Sequence, residues 1–300
     1  MAIEQSRQVA TLITERTGCR VEIVGVTTLG DVSRAQVTQI GGTGIFVSAL
    51  REALLGGEVD LAVHSLKDLP TGPAAGILLA AVPPRDDPRD ALVARDGAKL
   101  ADLPHGARIG TGSARRAAQL LALRSDLRCV PIRGNANTRL DTVTRGELDG
   151  VVLACAGLAR IEYASAITQV FEPDEMLPCP GQGALAVECR EDEPELAELL
   201  GTVSDQASLA AVTAERSLLE ALSAGCSAPV GAYAAGHDQL QMRAAVISTD
   251  GTQVLRAHGS APSADARRLG RDLAAELLRR GASDLISVPQ APTSSGIDAE

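Results

Sequence analysis

The chain has 300 residues, 45% of them hydrophobic and 22% charged, with 28 basic against 38 acidic groups and a formal charge of −10. This is the profile of an ordinary soluble protein of two or three domains, and the net charge excludes a general binder of nucleic acid or anionic membrane, whose polyanionic surface it would repel. No window approaches the roughly 20 unbroken apolar residues of a transmembrane helix, and Met1 opens no basic segment with an apolar signal core, so a cytoplasmic location is expected.

Residues 3–14 carry Ile3, Val9, Leu12 and Ile13 at helical spacing, with Gly18 as the stop. Residues 21–26 read as a buried strand, and 46–55 as a helix entered through Gly41-Gly42-Thr43-Gly44. Strands follow at 59–64 and 77–82, and the alternation predicts an α/β fold with a mostly parallel sheet. Pro83-Pro84-Arg85-Asp86-Asp87-Pro88 is too rich in proline and charge for an element interior and reads as an interdomain crossing. Beyond it a βαβαβ unit is predicted: strand 107–110, helix 114–124, strand 129–132, helix 138–145, strand 151–155.

A second break, Leu177-Pro178-Cys179-Pro180-Gly181-Gln182-Gly183, precedes a strand at 184–188. Two crossings around one α/β unit imply that the chain leaves the first domain, builds the second and returns. A helix at 209–222 then leads to Ala224-Gly225-Cys226, followed by strands at 230–235, 240–247 and 252–258 and a last helix at 264–280. The expected domains are therefore 1–83 with 184–203, then 89–177, and an α+β domain at 206–288 with a three-stranded sheet. The tail after Pro289 is expected to be disordered.

Four aromatics and no Trp leave a core of Ala, Val, Leu and Ile and argue against base stacking. Lys67 and Lys99 are the lysines and the other 26 basic residues are arginines, whose forks suit bidentate capture of carboxylate or phosphate. Six cysteines show neither C-x-x-C nor His-paired spacing, so disulfides and zinc are not expected and each taken alone reads as a small buried hydrophobe. Cys226 differs: it follows a helix end among small residues, with room for something bulky to attach, and no His beside it supports a protease-type pair.

Between Arg108 and Arg145 stand eight arginines and two acids, a local charge of +6. A solvated helix face accounts for Arg124, Arg128 and Arg145. Arg115-Arg116 follow Gly110-Thr111-Gly112-Ser113 where a strand enters a helix, and Arg133-Gly134-Asn135 with Arg139 occupy the corresponding next turn. Ligands of parallel sheets bind at such turns, so the four arginines predict a pocket for several carboxylates or phosphates. His64-Ser65-Leu66-Lys67-Asp68-Leu69-Pro70 reads either as a turn with a surface ion pair or, if Asp68 faces the cleft, as a group that moves protons or steadies a developing cation.

These segments, with Arg85-Asp86-Asp87-Pro88-Arg89-Asp90-Ala91-Leu92-Val93, Ile132-Arg133-Gly134-Asn135, Pro180-Gly181-Gln182-Gly183-Ala184-Leu185, Ala214-Glu215-Arg216-Ser217 and Gly225-Cys226-Ser227-Ala228-Pro229-Val230-Gly231, resemble the porphobilinogen deaminase (hydroxymethylbilane synthase) family. The resemblance runs from about Gln5 to Arg280. It implies two domains similar to type II periplasmic binding proteins plus a third. It further implies an enzyme that joins four porphobilinogens head to tail with loss of ammonia, releasing a linear tetrapyrrole by hydrolysis.

A dipyrromethane cofactor is implied, held by a thioether to Cys226, with Asp68 as the catalytic carboxylate. Arg115, Arg116, Arg133, Arg139 and Arg160 match the family's carboxylate binders, and Lys67, Ser65, Thr111, Ser113 and Gln182 the same cleft. The family's members are monomers, which is the expectation here. Residues 39–46 match a mobile lid that keeps Phe46 but has Gln39 and Thr43 where lysines are common, which predicts weaker lid electrostatics. Family members open with a strand ending in Gly-Thr-Arg-x-Ser, which this chain lacks, so a start codon further upstream is expected. The competing readings are an inactive family member and a non-catalytic anion-binding module on the same scaffold.

Overall fold

The computed structural model describes residues 1–26, 42–225 and 228–286, and for 42–46 the backbone only. Three sheets organise these residues into three domains. Helix α1 (Ala2–Thr17) is stopped by Gly18, whose φ of 74° is the left-handed value that ends helices, its N–H bonding Thr14 O. Residues 18–26 form no strand. Their β-branched residues favour one, but Ile23 and Val24 are exposed and no neighbour pairs with them among the described residues, and a strand without a ladder partner is not stable.

Helix α2 (Gly42–Leu55) starts within the glycine loop rather than after it. Strands β1 (Leu61–Ser65) and β2 (Ile77–Ala81) follow. The chain then crosses over and enters β3 (Asp90–Ala94), every residue of which is buried. Next come β4 (Arg108–Gly110), α3 (Ala114–Leu123), β5 (Arg128–Val130), α4 (Ala136–Thr144) and β6 (Gly150–Ala154), the βαβαβ unit read from the sequence. Helix α5 (Cys155–Arg160) begins at Cys155, which was expected in a strand, and β7 (Gln169–Phe171) completes a five-stranded sheet in the order β5-β4-β6-β3-β7.

The expectation of a mostly parallel sheet holds for β5-β4-β6 and fails elsewhere. β3 runs antiparallel to both β6 and β7. On returning, the chain forms β8 (Leu185–Arg190) and α6 (Pro194–Gly201), and β8 inserts between β1 and β2 antiparallel to each. A strand arriving from the other domain is not bound by the crossover rule that makes βαβ neighbours parallel.

The third domain consists of α7 (Gln206–Ala221), the antiparallel strands β9 (Val230–Ala235), β10 (Gln239–Ile247) and β11 (Val254–Pro262), α8 (Ala266–Arg279) and α9 (Ala282–Ile286). Asp205 caps α7, its carboxylate accepting Ser208 N–H at 2.7 Å. Gly270 lets α8 lie close against α7: a Cβ there would sit 2.1 Å from Ala214 O. Ala245 and Ile247 of β10 pack on Ala118 and Leu177, joining this domain to the second. The predicted disordered tail lies outside the described residues.

Candidate active site

Strand β1 ends in a single 3-10 turn, Leu66–Asp68, that presents Lys67 and Asp68 half-buried. Leu66 is fully buried and packs against Gly181, whose φ of 75° brings the second crossing close to the turn. Burial raises the Asp68 carboxyl above the ordinary value, opposed by the charges of Lys67 and His64. Lys67 is lowered, first by burial and then by the charge of Arg116, and its ammonium donates to Gln182 Oε1 at 3.2 Å. Behind the turn, Glu188 of β8 accepts both Nε (3.0 Å) and Nη2 (2.7 Å) of Arg51, tying α2 to the sheet, and lies 3.3 Å from His64 Nε2.

The arginine pair is engaged within the protein. Arg115 and Arg116 are 3% and 6% exposed, and both reach Asp90, which is completely buried. Arg115 Nη1 donates to Asp90 Oδ2 at 2.7 Å and to Leu177 O at 2.6 Å. Arg116 Nε donates to Asp90 Oδ1 at 2.9 Å and Nη1 to Val152 O at 3.0 Å. Burial alone would raise Asp90, but the two guanidinium charges outweigh it and hold the carboxyl well below the usual range.

Gln182, 1% exposed, is the junction between this cluster and the Lys67 turn. Its Nε2 donates to Asp90 Oδ1 (2.9 Å) and Pro88 O (2.7 Å), while its Oε1 accepts Lys67 and, at 3.4 Å, Arg116 Nη2. Gln119 of α3 pairs reciprocally with the Leu177 backbone at 2.8 and 3.0 Å. Three side chains of α3 thus fasten the second crossing, at Leu177 and Gln182, to Asp90 at the start of β3.

Among the remaining residues singled out from sequence, Ser113 caps α3 by accepting Arg116 N–H, and Thr111 Oγ1 accepts Ser113 N–H at 3.2 Å. Asn135 caps α4, accepting Thr138 N–H at 2.9 Å, with Arg133 exposed just before it. Arg139 donates to Gly134 O at 2.9 Å and is lowered by burial and then by the charge of Arg116, which places the two cations in one electrostatic neighbourhood. Arg160 Nη2 bonds Asp86 Oδ2 at 2.7 Å and Gly183 O at 3.2 Å, and its buried Nε has no partner among the described residues. Ser65 Oγ accepts Gln5 Nε2 of α1 at 2.7 Å. Cys226, Gln39 and the side chains of Thr43 and Phe46 lie outside the described residues.

Asp90, Gln119, Glu215 and Arg216 were not singled out from sequence as site residues. Glu215, wholly buried, grips Arg85 Nη1 and Nη2 at 2.7 and 3.0 Å and accepts Gly181 N–H (2.7 Å) and Ala234 N–H (2.9 Å). Arg85 in turn donates through Nε to Gln182 O at 2.8 Å. Asp90 stands beside Arg89 and Glu215 beside Arg216 in sequence, so each charge has an opposite neighbour and nothing local points to the partners it takes, which lie 19 to 150 positions away.

The chain matches two family descriptions: "Porphobilinogen deaminase, dipyromethane cofactor binding domain" over residues 1–198, and "Porphobilinogen deaminase, C-terminal domain" over residues 209–279. It is 57% identical over 297 residues to the porphobilinogen deaminase of Thermobifida fusca, covering 96% of this chain and 93% of that one. To porphobilinogen deaminase 1 of Streptomyces coelicolor it is 51% identical over 300 residues, covering 95% and 94%. Solved structures similar to it include an arginine-specific periplasmic binding protein of Salmonella typhimurium, 14% identical, covering 66% of this chain and 80% of that one at a TM-score of 0.37, a likeness too distant to carry a functional argument.

Proposed function

The chain belongs to the porphobilinogen deaminase family, and on that premise we propose how its residues divide the chemistry. The activity is that of a hydroxymethylbilane synthase, a transferase of tetrapyrrole biosynthesis that joins four porphobilinogens head to tail with loss of ammonia and releases the linear product by hydrolysis. Its cofactor is dipyrromethane. Membership over nearly the whole chain leaves no support for a non-catalytic anion-binding module.

The observation that carries the site assignment is that Lys67 and Arg139 are both lowered, first by burial and then by the charge of Arg116, so three cations from three elements share one neighbourhood next to the Asp68 turn. A dipyrromethane carries an acetate and a propionate on each ring, which is the chemistry such a neighbourhood accommodates. When bound, that group supplies the terminal pyrrole carbon to which the first substrate is joined. Lys67, Arg133 and Arg139 would bind carboxylates of cofactor and growing chain, with Ser65, Thr111 and Ser113 along the same wall; Arg116 adds its charge to that wall while its own donors stay with Asp90, Val152 O and Gln182. Arg115, Arg160 and Gln182 act mainly by holding that wall in place through Asp90, Asp86 and the crossings.

Asp68 is assigned the proton. A carboxyl raised by burial can carry a proton to the aminomethyl nitrogen so that ammonia departs, and once ionised it can stabilise the positive charge left on the pyrrole. Cys226 is assigned as the thioether anchor and Phe46 as a residue of the lid. The domain limits 1–83 with 184–203, 89–177 and 206–288, a monomeric state and a cytoplasmic location complete the reading. Among the described residues no helix is long and apolar enough to cross a membrane.

Intact mass spectrometry of the purified protein tests the anchor: two covalent pyrrole units are expected on the wild type and none on Cys226→Ser. Asp68→Ala should keep the added mass and lose turnover by about 10²–10⁴-fold, the usual contribution of a proton-transfer group. An active wild type with unmodified Cys226, or an Asp68→Ala variant that turns over normally, would overturn the corresponding assignment.

A further inference from the structure

The turn that carries Lys67 and Asp68 is held at its two ends by different domains. At its start, Leu66 N–H bonds Ala184 O at 3.0 Å, within the first domain. At its end the chain leaves the turn extended at Leu69, and there the guanidinium of Arg216, from α7 of the third domain, meets three carbonyls. Arg216 Nη1 donates to Leu69 O at 3.1 Å and Leu66 O at 3.4 Å, and Nη2 to Pro70 O at 2.7 Å. One 3-10 turn leaves most of its carbonyls without an intrahelical donor, and a planar fork of fixed N–H groups satisfies several at once in a way a flexible ammonium does not.

We propose that Arg216 is a positioning residue for the reaction, fixing the turn from the third domain so that the Asp68 carboxyl is held at a set place relative to the loop that follows α7. The inference rests on the assignment of Asp68 above. No side-chain hydrogen bond to the Asp68 carboxylate is found among the described residues, so the placement of that carboxylate follows from the backbone of its turn. The neighbouring residue, Glu215, fixes the register of α7 through Arg85, Gly181 and Ala234. From Arg216 the helix continues to Ala221, about 8 Å of rigid rod at 1.5 Å per residue, and Gly225 follows shortly after. One helix therefore connects the catalytic turn to the approach of the cysteine loop. Arg216 sits 150 positions from Leu66 in sequence, which is why no local pattern reveals the contact.

The test compares Arg216→Ala, Arg216→Lys and Asp68→Asn, each as the holoenzyme. Arg216→Ala is expected to keep the covalent pyrrole mass and a KM within threefold of wild type while kcat falls by roughly 10²-fold, the cost of about 1 Å of misplacement. Arg216→Lys, retaining the charge without the fork, should remain at least about tenfold down, since one rotatable ammonium replaces a bidentate donor. Added ethylguanidinium should restore part of the Arg216→Ala rate and none of the Asp68→Asn rate, an outcome that a merely structural role would not produce. A kcat within twofold of wild type in both Arg216 variants, a loss confined to KM, or a loss that tracks missing pyrrole mass overturns the inference. Should the alanine variant fail to fold, the lysine variant decides by the same criteria. If Asp68→Asn turns over normally, the site assignment itself fails; if it is impaired while the Arg216 variants are not, only the positioning role falls.

Discussion

Replacing Asp90 by Asn tests whether the arginine pair is a structural fastening. The wild-type carboxylate accepts Arg115 at 2.7 Å, Arg116 at 2.9 Å and Gln182 at 2.9 Å, with none of its surface in water. At an effective dielectric of about 20, opposite charges about 4 Å apart attract by about 4 kcal/mol, and removing one member of a buried ion pair costs about 3–5 kcal/mol because the other is left uncompensated. Here two guanidiniums are left, so a loss of about 3–5 kcal/mol is expected out of a typical total of about 5–15. Urea unfolding followed by circular dichroism at a series of pH values measures it.

The pH dependence has a definite sign. The Asp90 carboxyl lies well below its ordinary value of 3.8, so its contribution is complete above that value and is lost only as pH falls toward the folded one. The gap between wild type and Asp90→Asn should therefore stay constant from pH 7 to 5 and narrow below about pH 4. A gap under about 1 kcal/mol at pH 7, which an ordinary hydrogen bond would already account for, means that Asp90 does not fasten the two arginines. So does a gap that closes between pH 7 and 5. Were Asp90 merely a competitor for arginines meant for ligand, its loss would leave stability intact.

Asp68 behaves in the opposite sense. Burial raises its carboxyl, so its stabilising contribution is complete below the ordinary value of 3.8 and is lost as pH rises through the folded one. Asp68→Asn should consequently melt above wild type at pH 7 and alongside it near pH 3.5; a lower melting temperature at pH 7 contradicts this. Gly270→Ala places a Cβ 2.1 Å from Ala214 O and 2.9 Å from Leu218 N, forcing α7 and α8 apart, and should cost about 1–3 kcal/mol in urea unfolding, with a loss below about 0.5 kcal/mol counting against close packing. Native alkylation with iodoacetamide, read by peptide mapping, should label exposed Cys19 and spare buried Cys155, whose thiol is pushed up to about 12 by burial; labelled Cys155 in folded protein contradicts this.

The sequence was most legible where periodicity alone decides the element. The βαβαβ unit, the third-domain strands and the α7 and α8 helices need only local pattern, and the structure places them within a few residues of expectation. β3 escaped because five buried residues follow directly on a run of prolines and charges, and the composition of the crossing dominated the reading. The segment 21–26 has strand composition but no partner among the described residues, and pairing is a property of neighbours that lie far away in sequence. The same distance effect governs the site. A count of eight arginines against two acids did not include Asp90, which lies 25 positions before Arg115. Arg145 with Glu147 is an exposed local pair and was read as surface, whereas Arg124, read the same way, is half-buried and donates to Leu100 O, Leu103 O and Pro104 O as well as to Asp126. Local charge balance thus revealed that cations gather here but not which of them already have a partner.

The position of β8 in the first sheet has a consequence for the order in which the protein is made. β1 and β2 each bond to β8 and not to each other, and β8 begins at Leu185, about 120 residues after β1 ends. At a synthesis rate of about 5–20 residues per second that is a wait of roughly 6–24 s. During it the second domain, whose sheet comes from the uninterrupted stretch Asp90 to Phe171, emerges with all of its strands. The domain begun first is therefore finished second, and until residue 190 appears, β1 and β2 present unpaired edges to whatever else the ribosome's surroundings contain. Slower translation lengthens that exposure, and folding yield should fall with it.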